Sequence, residues 1–192
     1  MKLIWNLFGV IGLVVVVAIG AASFNLAPIL KDFDPEIIGT YKDFATTLLQ
    51  TGDPGIAMMK MVEVEEGNSP EDVVESMKSL ATARNFLFVG ESPFYKQVEA
   101  VTDEKFRYVN FLSFCDAMVG RDMLDYHDEY SGFMPCRIAL VEGQDGRLRL
   151  YTMNLDMMIH GGKELPAELK EDAIRVRDTI DEIMQGAAIG EF

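Results

Sequence analysis

The residues best equipped for chemistry in this chain of 192 residues crowd into positions 111–162, FLSFCDAMVGRDMLDYHDEYSGFMPCRIALVEGQDGRLRLYTMNLDMMIHGG. This stretch holds both cysteines, both histidines and six of the twelve methionines. Cys115, Met118, Met123, His127, Met134 and Cys136 offer thiol, thioether and imidazole donors. Such soft donors suit Cu(I), or the axial positions of a haem. The metal-ligand set read from the sequence is Cys115, Met118, His127, Met134 and Cys136. No CxxCH occurs, which excludes covalent c-type haem, so copper and non-covalent haem are the cofactors left open. The spacing matches no standard metal motif, and methionines in such stretches commonly fill cores.

The same thiols support a structural reading. Cys115 ends one expected strand and Cys136 begins another, so antiparallel pairing would bring them to one end of a sheet. A disulfide Cys115–Cys136 would then close a loop of about 20 residues and stabilise by roughly 3 kcal/mol. His127 sits among Asp125, Asp128 and Glu129, an acidic metal patch or a solvated loop, with the loop favoured. His160, beside Gly161 and Gly162, reads as an exposed loop histidine in preference to a ligand.

Hydrolytic and phosphate chemistry lacks its usual constellations: there is no GxSxG, no HExxH and no Gly-rich phosphate loop. Arg121 and Arg137 near Asp116 and Asp122 read as ion pairs, so no catalytic residue is assigned and an enzyme is the less favoured class. A net charge of −14 with scattered basic residues argues against a nucleic-acid surface.

The elements that must position these residues follow an uncharged run. Residues 3–24 contain no charged side chain, and at about 1.5 Å per residue they reach roughly 30 Å, a bilayer core. The expectation is an uncleaved single-pass anchor over residues 1–30 contacting membrane lipid. Lys2 ahead of it places the N-terminus in the cytoplasm and the rest outside the inner membrane. A cleaved signal peptide ending near Ala21-Ala22-Ser23 is the rival. Residues 31–57 form an amphipathic juxtamembrane helix and linker: Asp34-Pro35-Glu36 starts the helix, and Gly52 and Pro54 stop it.

Residues 58–192 form the globular domain. Residues 59–65 alternate apolar and polar as a half-buried strand does. Ser69-Pro70-Glu71-Asp72 caps a helix, and residues 86–90 read as a short buried strand. A short helix over 93–101 precedes a strand over 107–114, then a helical or turn-like segment over 115–123 and a polar loop over 125–132. Strands 137–142 and 148–153 flank the Asp145-Gly146 turn. Pro166 opens a last helix whose apolar stripe runs from Leu169 to Met184, with Gly186 as its end.

The segment PCRIALVEGQDGRLRLYTMNLD, followed by a short polar insertion and an amphipathic C-terminal helix, resembles the domain-of-unknown-function-302 family. RYVNFLSFCDAMVGRDML fills the slot where that family has a strand and a Gly-containing segment. The resemblance covers residues 58–183. It implies an α+β domain of strand–helix–multi-strand–helix order, with a curved antiparallel sheet packed on a long C-terminal helix. It also implies dimers, and it implies no reaction. The Cys, Met and His residues of the central stretch depart from the family pattern and suggest a specialised branch.

These readings lead to a membrane-anchored extracytoplasmic (periplasmic) accessory module that docks onto a membrane or envelope protein complex without catalysis of its own. Its expected partners are another protein or a second copy. The alternative is a copper- or haem-binding redox or metal-handling protein using the central stretch.

Overall fold

The computed structural model describes residues 11–17, residue 20 and residues 30–192. Five strands form one antiparallel sheet: β1 (Met59–Glu63), β2 (Leu87–Ser92), β3 (Val109–Cys115), β4 (Cys136–Glu142) and β5 (Leu148–Met153), in the order β1-β5-β4-β3-β2. The helices are α1 (Ile37–Thr51), α2 (Pro54–Ala57), α3 (Pro70–Ala83), α4 (Phe94–Thr102), α5 (Ala117–Tyr126), α6 (Asp156–His160) and α7 (Ala167–Ala188). A 3-10 segment, Asp128–Phe133, joins α5 to β4. The expected α+β class, sheet and long C-terminal helix are present.

Local sequence explains most boundaries. Ser69 accepts from the Asp72 amide while the Asp72 carboxylate accepts from the Ser69 amide, so two otherwise orphaned donors at the start of α3 are satisfied. Gly146, at φ 78°, supplies the left-handed residue of the β4–β5 turn. Val73, Met77 and Leu80 on α3 and Ile180, Ile183 and Met184 on α7 pack onto Leu112, Phe114, Ile138, Leu140 and Leu150 of the central strands. Both long helices therefore cover the same sheet face.

Three expectations change. Gly186 does not end the last helix but lies inside it, where a Cβ would stand 2.7 Å from Leu80 Cδ1. It is glycine because α3 and α7 approach closely there. The strand expected to be buried, β2, is an edge strand, with Leu87 and Val89 about half exposed. The loop expected over 125–132 is the end of α5 and the 3-10 segment.

No helix among the described residues is long and apolar enough to cross a membrane. The span expected over residues 3–24 lies mostly outside the described residues. Within it, residues 11–17 are helical with exposed side chains. Downstream, the segment over residues 31–57 is tied to the domain: Phe33 forms a β-bridge with Lys163, the Asp34 amide donates to the Gly162 carbonyl, and the Glu164 amide donates to the Asp32 carbonyl.

Candidate functional site

The sequence elements around the central stretch close on one small pocket. Strand β3 delivers Cys115 at its C-terminal end, and β4 begins at Cys136, opposite Phe114. Asp116 caps α5, accepting from the Met118 and Val119 amides at 3.0 and 3.2 Å. That cap sets the rotation of α5 so that Val119 and Met123, one turn apart, are buried. Cys115, Met123, Met134, Cys136 and Met158 line the pocket, and its other walls include Phe114, Val119 and Leu155. The free space between them is about 40 Å³.

Of the five residues read from the sequence as ligands, the structure brings together Cys115, Met134 and Cys136. Met118 lies one residue before Val119, about 100° around the helix, and is 59% exposed. His127 follows α5, is exposed, and packs its ring on Tyr126 and Tyr130. Met123 was also named in the sequence; Met158 was not, because nothing local shows that α6 folds back over this end of the sheet.

The expected Cys115–Cys136 disulfide is not formed: both cysteines are free thiols. Cys136 stands opposite Phe114 rather than Cys115, so the two are offset by one residue in the ladder. Neighbouring residues on a strand start from opposite faces, which works against direct cross-strand bridging. Burial, and then the neighbouring Cys115, push the Cys136 thiol up to about 11. Burial and the Asp116 carboxylate likewise raise Cys115. Both are therefore neutral thiols near pH 7. Burial pushes the Asp116 carboxyl up, but Arg175, at 2.9 Å, and the two amides outweigh it and hold it below its ordinary value.

Two further polar clusters sit elsewhere. His160 is not the exposed loop histidine expected from its glycine neighbours; it is 3% exposed at the end of α6. Its Nδ1 lies 3.2 Å from the buried Asp34 carboxylate, without the alignment of a full hydrogen bond, and Lys170 Nζ is 2.6 Å from the same carboxylate. Between α3, β2 and β3, the buried Asn110 amide donates to Glu91 at 2.7 Å and to the Tyr108 hydroxyl at 3.1 Å. The Asn110 hydrogen bond and Lys78 hold the Glu91 carboxyl below its ordinary value against burial. Among the described residues no group of three or more His, Cys, Asp and Glu side chains is arranged to hold a metal ion.

Among the described residues, the far face of the sheet carries no helix layer equivalent to α3 and α7. Met61, Tyr151, Ala139 and Phe111 pair in one row across four strands, with Met59 and Met153 in the next. Met59 and Met61 are 42% and 52% exposed. Arg137 lies over the Phe111 ring at 5.4 Å and makes no ion pair among the described residues.

None of the curated proteins is significantly similar to the chain. A crystal structure described as an uncharacterized conserved protein DUF302 from Bacillus stearothermophilus is similar in fold, with a TM-score of 0.55 at 13% identity. The match covers 67% of this chain and 96% of that one. The family described as "Domain of unknown function DUF302" matches residues 61–187, the sheet with α3 and nearly all of α7. By that match, over more than half of its length, the chain belongs to the DUF302 family.

Proposed function

We propose that the chain is a membrane-anchored, extracytoplasmic accessory module that docks its uncovered sheet face onto another membrane protein and performs no catalysis of its own. The observation that carries this reading is the row Met61, Tyr151, Ala139 and Phe111, apolar or aromatic, which no helix layer covers among the described residues apart from the Phe94 ring against Phe111. An antiparallel sheet can leave one face to water, but that face is then usually polar. Here the polar exceptions are chiefly basic or neutralised. Arg137 is exposed, and Glu63 is paired with Arg147 at 2.6 Å and Arg149 at 3.4 Å. On a chain of net charge −14, a face this poor in free carboxylates fits a partner patch that is apolar with a carboxylate to meet Arg137.

The anchor is residues 3–24, uncharged throughout, of which residues 11–17 are helical with exposed side chains. Helix α1 would hold the domain close to the bilayer, since Asp34 and the Tyr41 hydroxyl, which donates to the Gly161 carbonyl at 3.1 Å, tie this segment to α6 and the loop after it.

Co-purification of the full-length protein from its own membrane tests the reading. Wild type should bring down a distinct protein at stoichiometric ratio, and Met61→Glu with Tyr151→Glu should lose it while the domain stays folded. Retention by the double variant, or recovery of only a second copy of the chain, sinks it.

A second reading, metal handling in the central stretch, is favoured by the sulfur-lined pocket. Free space of about 40 Å³ takes an ion and not a porphyrin, so copper is the better fit of the two cofactors considered.

A further inference from the structure

We propose that Cys115 and Cys136, with the Met134 thioether, form a mononuclear Cu(I) site built around the gap at Gly120. This inference rests on the metal-handling reading above and is independent of the docking face.

The bland account of the pocket is methionine packing, and it fails to explain the space. Three methionines are flexible enough to close a gap of this size, yet about 40 Å³ stays free among the lining side chains. The gap is held open by Gly120. A Cβ there would stand 3.2 Å from Met134 Sδ and 3.7 Å from Cys115 Sγ. Both sulfurs thus face one point in space from different chain segments. Glycine inside a helix is less stable than alanine, and alanine here would also fill the void. Glycine at this position lets Met134 Sδ and Cys115 Sγ approach the α5 backbone together, which a Cβ would oppose.

Donor chemistry selects the ion. Thiolate and thioether sulfurs favour Cu(I), whereas harder divalent ions require imidazole or oxygen donors. The single carboxylate at the pocket, Asp116, is already engaged by Arg175 and by the Met118 and Val119 amides. Phe114, Val119 and Leu155 give the pocket apolar walls, which suit a soft monovalent ion better than a strongly hydrated divalent one.

The site is assembled by proton exchange. One Cu(I) ion displaces two thiol protons, forming two copper–sulfur bonds and releasing two protons to solvent; copper stays monovalent and neither sulfur is oxidised.

The test is an anaerobic titration of the reduced, full-length protein with Cu(I) against a chromophoric Cu(I) chelator. Wild type should withdraw one equivalent, with near-ultraviolet thiolate-to-copper absorption. Cys115→Ser and Cys136→Ser should each weaken binding at least a hundredfold. Gly120→Ala, which keeps every sulfur atom, should weaken it at least tenfold while circular dichroism stays native. Met118→Leu, His127→Ala and Met61→Glu should bind as wild type does. If wild type takes no copper, the metal reading falls along with this site. If it takes copper and Cys136→Ser or Gly120→Ala takes it equally well, the metal reading stands and the pocket assignment is overturned.

Discussion

Asp34→Asn should release the segment over residues 32–51 from the domain without unfolding the sheet. The Asp34 side chain is fully buried, and its carboxylate is 2.6 Å from Lys170 Nζ, 3.2 Å from His160 Nδ1 and 2.8 Å from the Glu36 amide that donates to it. Breaking a buried ion pair from one side typically costs about 3–5 kcal/mol. Lys170, however, remains partly solvated and keeps Glu164 at 2.7 Å, so a loss of about 2 kcal/mol is the better figure. The cost is local, because the carboxylate joins residue 34 to His160 at the end of α6 and to Lys170 in the first turn of α7, and not to the sheet. Amides of residues 32–51 should therefore exchange with deuterium about 30-fold faster in the variant, while those of β4 stay unchanged. Equal exchange in variant and wild type, or equal acceleration in β4, would refute the reasoning.

Acid gives a second view of the same clamp. Burial pushes the Asp34 carboxyl up, but the nearby Lys170 ammonium, the hydrogen bond from the Glu36 amide and the neighbouring His160 outweigh it and hold it below the ordinary range. Its stabilisation is thus fully present above the ordinary carboxylate pKa of about 4 and is lost as pH falls through the lower, folded-state value. The segment should keep its exchange protection from pH 7 to 5 and lose it only on further acidification.

Three other outcomes follow from the packing. Gly186→Ala places a methyl 2.7 Å from Leu80 Cδ1, and should lower stability in urea by about 1–3 kcal/mol. Leu140→Ala removes a fully buried side chain from the central strand β4, and should cost about 2–5 kcal/mol in the same assay. Cys136, with its thiol pushed up to about 11, should alkylate with iodoacetamide about tenfold faster per pH unit from pH 7 to 10; a plateau below pH 9 would contradict its burial.

What could be read from the sequence was whatever neighbouring residues decide. The Ser69–Asp72 cap and the Asp145-Gly146 turn are complete within a few positions, and both are where the sequence places them. Helical spacing likewise separates Met118 from Val119 and Met123, although the ligand set drawn from composition ignored it. The placement of β2 was not legible, because a run of apolar residues looks alike at the centre and at the edge of a sheet. His160 misled for a related reason: its glycine neighbours suggest a loop, while the partner that buries it, Asp34, lies at the other end of the described chain. The sulfur pocket was half legible. The residue types were evident, but its openness depends on Gly120 facing Met134 across α5, a contact no spacing rule encodes.

The docking face is tested most directly by photo-crosslinking in the native membrane. A benzophenone side chain in place of Tyr151 should, on irradiation, yield one adduct with a distinct protein, and the same group in place of the exposed Glu75 on α3 should yield none. Absence of an adduct at Tyr151, or the same adduct from both positions, would contradict the claim that the uncovered sheet face is where this protein meets its partner.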